Sequence, residues 1–144
     1  AGHIHCWGRD DFNQVGSYNG TGPNGTGNSS FYSDVAAGEL HTCAVVSGNL
    51  AIECWGDGSF GQTQPPATGS TYTSDSGMQY TINSFTELSA SGHHTCATAY
   101  VTDVNSSTDI NTVICWGWDD DDQVGGERLG RILTAMIEEG AFDE

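Results

Sequence analysis

The chain has no lysine, and Arg9, Arg128 and Arg131 face 19 acidic residues, for a formal net charge of −16 over 144 positions. A surface of that sign repels phosphate backbones and anionic headgroups, so nucleic acid and membrane surfaces are poor partners, and neither nucleic-acid binding nor membrane insertion is expected. No apolar run is long enough to span a bilayer, and no signal-peptide pattern is present; a leader is expected to have been removed or to lie upstream. Also absent are a glycine-rich phosphate loop, a nucleophile elbow and a dinucleotide fingerprint. Carboxylates cluster only in the run Asp119 to Asp122, where mutual solvation is simpler than a poised acid and base. The sequence therefore offers no catalytic constellation and no organic cofactor site. Neither Cys-x-x-Cys nor His-x-x-x-His spacing occurs, which argues against zinc. Proline, at three residues, is scarce.

Glycine, by contrast, is abundant at 20 residues, and Ser, Thr and Asn are frequent. That mixture suits short strands joined by many turns and predicts an all-β chain of one domain. Five cysteines and four Asn-x-Ser/Thr sequons, at Asn19, Asn24, Asn28 and Asn105, point to an oxidising, secretory route with N-linked glycans on the surface.

Cys-Trp-Gly occurs three times, at Cys6 to Gly8, Cys54 to Gly56 and Cys115 to Gly117. Six residues beyond each glycine stands a glutamine: Gln14, Gln62 and Gln123. The residue before it is Asn13, Gly61 or Asp122, a type that tolerates left-handed backbone, so each copy reads as a strand entering one fixed turn. A second block precedes two of the triplets, with His41, Thr42 and Cys43 matching His94, Thr95 and Cys96. Cys43 and Cys54 are symmetric about Gly48-Asn49, which predicts a hairpin with a two-residue loop and a Cys43–Cys54 bridge across it. Cys96 and Cys115 are symmetric about Asn105-Ser106 in a longer hairpin, which predicts a second bridge and puts the Asn105 sequon at the tip. Cys6 is then unpaired within the chain. Its strand, His3 to Trp7, is expected to be an open edge whose cysteine-bearing partner lies outside this sequence.

These blocks resemble the regulator of chromosome condensation repeat family in its secreted, cysteine-bearing form. The resemblance covers Val35 to Gln64 and Leu88 to Gly125, with Ala1 to Gly16 as the second half of a unit. It implies an incomplete β-propeller of antiparallel blade repeats, because about two and a half repeats fall short of a closed ring. The implied organisation is a half-repeat at 1–16, a Gly/Ser/Asn-rich connection at 17–34, a repeat at 35–64, a connection at 65–87, a repeat at 88–125 and a non-repeat tail at 126–144. Within that tail the apolar spacing of Leu129, Ile132, Leu133, Met136 and Ile137 predicts a short helix.

His41 and His94, once per repeat, are expected to be structural hydrogen-bonders; Trp7, Trp55 and Trp116 are expected to fill gaps between blades. Trp118 lies outside the repeat register and is a candidate surface contact. Asp119, Asp121 and Glu127 are weak calcium candidates, since hard cations favour clustered carboxylates, but their spacing is not that of an EF-hand and a solvated acidic loop is the simpler reading. His3 and His5 alternate on one strand and read as exposed. The composite expectation is a secreted or cell-surface, non-catalytic repeat module. It would bind protein, copies of itself or the rest of a longer chain, or build an extracellular assembly or filament; the rival is a secreted inhibitor or exchange-factor-like module.

Overall fold

A computed structural model describes residues 2–15 and 31–118. Every regular element among them is a β-strand, in two antiparallel sheets. The first comprises β1 (Tyr32–Ala37), β2 (His41–Val46) and β3 (Ile52–Gly56), and the second β4 (Thr71–Thr73), β5 (Gln79–Ser91), β6 (His94–Asp103) and β7 (Asp109–Gly117), each paired in chain order. The described residues are thus all-β, antiparallel sheets of an incomplete propeller. The tail read as a helix lies outside the described residues.

β2 and β3 place Cys43 opposite Cys54, and β6 and β7 place Cys96 opposite Cys115. Both pairs are bonded, with Cα atoms 4.1 and 4.0 Å apart. The hairpin between β2 and β3 differs from the expected two-residue loop. Val46 and Ala51 are the last bonded pair, and the four residues 47–50 turn, with the Leu50 N–H donating to Val46 O at 2.8 Å. The second hairpin closes identically on Asp103 and Thr108, the Ser107 N–H donating to Asp103 O at 2.9 Å. Leu50 and Ser107 both take a left-handed backbone, at φ 56° and 57°. Symmetry located the centre of each turn, but a left-handed Leu or Ser carries no sequence signal.

Residues 65–87, read as a connection, contain β4 and the first part of β5. The register of β5 against β6 slips between Ile82 and Ser84, so Ile82 lies opposite Val101 and Phe85 opposite Ala99. That bulge turns two apolar residues three apart onto the same buried face, which hides the strand's period of two.

Of the two apolar clusters, the smaller is repeated within the larger. Ile4, Tyr32, Ala44 and Trp55 form one; Ile52, Phe85, Ala97 and Trp116 occupy the same repeat positions in the other. Each is a seam between successive units. The backbone repeats with it: the Tyr32 N–H donates to Gly2 O at 2.8 Å, and the Phe85 N–H donates to Leu50 O at 2.9 Å. His3 to Trp7 does not form a strand; apart from the Gly2–Tyr32 bridge it lies as an irregular segment, held by Ile4 in the seam. Trp7 corrects the expectation for the third tryptophan, being 86% exposed where Trp55 and Trp116 are 5% and 7%. Trp55 and Trp116 each lie against the preceding unit, and no such unit stands against Trp7 among the described residues.

Candidate functional site

The residues that recur in the sequence meet where one unit joins the next. The Gln turn has one geometry in both described copies. Gln14 Oε1 accepts the Phe12 N–H at 2.8 Å, and Gln62 Oε1 accepts the Phe60 N–H at 2.8 Å. Asn13 and Gly61 supply the left-handed residue, at φ 60° and 77°. The turn then seats on the next unit: a Cβ on Gly56 would lie 3.2 Å from Gln14 Cβ, and one on Gly117 would lie 3.2 Å from Gln62 Cβ. Trp116 Nε1 donates to Gln62 O at 2.9 Å.

His41 behaves as a structural residue. Its ring is fully buried, its Nε2 lies 2.7 Å from Thr95 Oγ1 across the seam, and it fills the space a side chain on Gly38 would need. Burial holds its pKa below the ordinary imidazole value, with His93 and His94 adding to the effect. His94, at the matching position, is half-buried. His3 stacks at 4.7 Å on Phe31, and His5 is exposed.

Trp118 is less a free surface contact than a stacked one. Its ring lies 4.9 Å from Phe60, nearly parallel, and 5.4 Å from His93, whose Nε2 is 3.8 Å from Glu39 Oε2. The sequence reading missed this stack, although Phe12 and Phe60 recur at the fifth position of their turns and could have flagged it. It also missed an exposed polar row in which Asp109 accepts Tyr100 Oη at 2.8 Å and Thr102 Oγ1 at 2.6 Å.

Cys6 is free and half-buried, and burial pushes its thiol pKa up. It lines a groove of about 300 Å³ with His5, Trp7, Gln14, Val35 and Thr42. Asn105 sits in the exposed 104–107 turn, where its N–H donates to the Asp103 carboxylate at 2.8 Å and its side chain is open to solvent. Asn19, Asn24, Asn28, Asp119, Asp121 and Glu127 lie outside the described residues. Among the described residues no group of three or more His, Cys, Asp or Glu is placed to hold a metal ion, and no helix is long and apolar enough to cross a membrane.

No protein-family model matches the chain, and no curated protein matches it. Among solved structures it is similar to the entire ectodomain of the Physcomitrella patens receptor kinase CR4, at 22% identity and TM-score 0.37, over 69% of this chain and 21% of that one. It is also similar to the CRINKLY WD40 ectodomain of the Arabidopsis thaliana receptor kinase ACR4, at 20% identity and TM-score 0.33, over 81% of this chain and 48% of that one. The chain therefore spans less than half the length of either.

Proposed function

We propose that this chain is an extracellular, non-catalytic propeller-repeat module of the regulator of chromosome condensation type, which acts by presenting its surface to other proteins. One observation carries the reading: the recurring groups with chemical capacity, His41, Thr95, Gln62 and Trp116, are engaged with one another across the seam between units. Residues occupied in holding blades together are scaffold, and what such a scaffold offers a partner is its loops. Two disulfides and an exposed sequon at a hairpin tip support an oxidising, secreted setting, with glycans at Asn105 and at the sequons of the 17–34 connection. The partner is a protein, in keeping with a net charge of −16 that repels polyanions.

The test is sedimentation of the chain, secreted from a eukaryotic host, over a wide concentration range and with added extracellular protein fractions. Growth into larger species by self-association supports a structural subunit. A monomer that becomes a defined complex supports a regulatory module. A monomer that binds nothing and turns over a glycan or ester substrate overturns the proposal.

A further inference from the structure

The described repeats show, position by position, what surrounds a Cys-Trp-Gly segment. Cys54 and Cys115 are bonded to the cysteine of an adjoining His-Thr-Cys strand. The residue after the glycine returns to that strand: the Asp57 N–H donates to Leu40 O at 2.8 Å and the Trp118 N–H donates to His93 O at 2.9 Å. Gly56 and Gly117 lie tight on it, a Cβ there falling 2.8 Å from His41 Cα and 2.9 Å from His94 Cα. Gly8 has the same backbone, φ 118° against 109° and 110°, yet a Cβ on it would meet nothing within 4 Å among the described residues. Cys6 is free, and Trp7 is exposed.

A second, independent sign lies inside the first seam. Thr95 Oγ1 is held by His41 of the preceding unit, and Gln62 O is left for Trp116 Nε1. At the equivalent place Thr42 has no histidine among the described residues and donates instead to Gln14 O at 3.0 Å. The buried Trp55 Nε1 is then without a partner among the described residues. An unsatisfied buried donor is costly, and one histidine delivered to Thr42 would release the carbonyl for it. Thr42 and Gln14 line the same groove as Cys6 and Trp7.

We propose that His3–Gly8 and this groove are the docking site for one further strand of the His-Thr-Cys type. It pairs antiparallel with His3–Gly8, its cysteine bonds Cys6 and its histidine engages Thr42. The register follows from β2 on β3, with cysteine opposite Cys6 and histidine opposite Gly8. Cys43 and Cys96 are already bonded, so the strand is an additional one. The bridge forms by thiol–disulfide exchange: two thiols give up two protons and two electrons, which reduce one molecule of glutathione disulfide to two thiols. The inference rests on repeat geometry and stands whichever partner the module serves.

To test it, a copy of residues 31–49 replaces Ala1 ahead of Gly2 in the full chain, because Ala1 and Asn49 are equivalent positions. The fusion should contain no free thiol and link Cys6 to the added cysteine. The Trp55 indole N–H should gain protection from exchange. A folded fusion whose Cys6 still titrates, or one that dimerises through Cys6–Cys6, overturns the proposal. Changing the added histidine to alanine should keep the bridge and lose the Trp55 protection; equal protection in both fusions overturns the histidine's part. If the fusion does not fold, a free peptide of the same sequence is offered to the 144-residue chain in a glutathione buffer. Capture at Cys6 should exceed that of a scrambled cysteine peptide roughly tenfold, the ratio one or two net hydrogen bonds supply, and equal capture overturns the proposal.

Discussion

Substituting alanine at Gly117 and at Gly8 separates backbone conformation from packing at one repeat position. Both glycines hold φ near +110 to +118°, a region in which an L side chain is strained by about 1–3 kcal/mol. Only at Gly117 would the new methyl also press on His93 O, His94 Cα and Gln62 Cβ, two of them backbone atoms that cannot swing aside. Overpacking of that kind adds about 1–3 kcal/mol, so Gly117→Ala should cost roughly 2–6 kcal/mol in all. For a chain of this size that is a fall of roughly 6–18 °C in Tm. Gly8→Ala carries the conformational part alone. The assay is thermal unfolding followed by near-ultraviolet circular dichroism, with the expected gap between the variants about 2 kcal/mol. Equal shifts would refute the claim that this glycine is the seat of the preceding Gln turn. Should Gly117→Ala fail to fold, Gly56→Ala, with Leu40 O at 2.5 Å, makes the same comparison.

Three further outcomes follow. Burial lowers the His41 pKa, so the unfolded chain binds the proton more tightly; stability is full above pH 6.5 and falls as pH drops below it, and His41→Gln should flatten that slope in Tm measured between pH 7.5 and 5. Replacing Cys96 and Cys115 together by alanine frees a loop with a sequence separation of 19 and should cost about 3 kcal/mol in urea unfolding, with the Cys43–Cys54 bridge intact on non-reducing mapping. Secretion from a eukaryotic host should attach a glycan at Asn105, and an intact mass that Asn105→Gln alters only by the one added methylene would show the hairpin tip unmodified.

What the sequence made legible is what the fold uses more than once. Cys-Trp-Gly, His-Thr-Cys and the glutamine turn recur because each seam needs the same contacts, and recurrence exposed the strand pairs β2 with β3 and β6 with β7. β4 and the first part of β5 have no counterpart among the described residues, and the bulge near Asn83 breaks the alternation of β5, so they read as connection. The four-residue turns escaped because Leu50 and Ser107 adopt left-handed backbone imposed by the ladders on either side. Trp7 shows the opposite limit: its sequence context matches Trp55 and Trp116, but a tryptophan that packs between units is buried only where a preceding unit is present. The Phe60–His93–Trp118 stack draws on residues 25 and more apart, of which Phe60 alone holds a recurring turn position, and pattern matching along the chain does not join them.

The account stands on each blade carrying its own staple, and the most direct measurement is peptide mapping of the secreted, unreduced chain with thiols blocked at low pH. The account predicts Cys43 linked to Cys54, Cys96 linked to Cys115 and Cys6 recovered as a blocked thiol; recovery of Cys43 linked to Cys96 would contradict it.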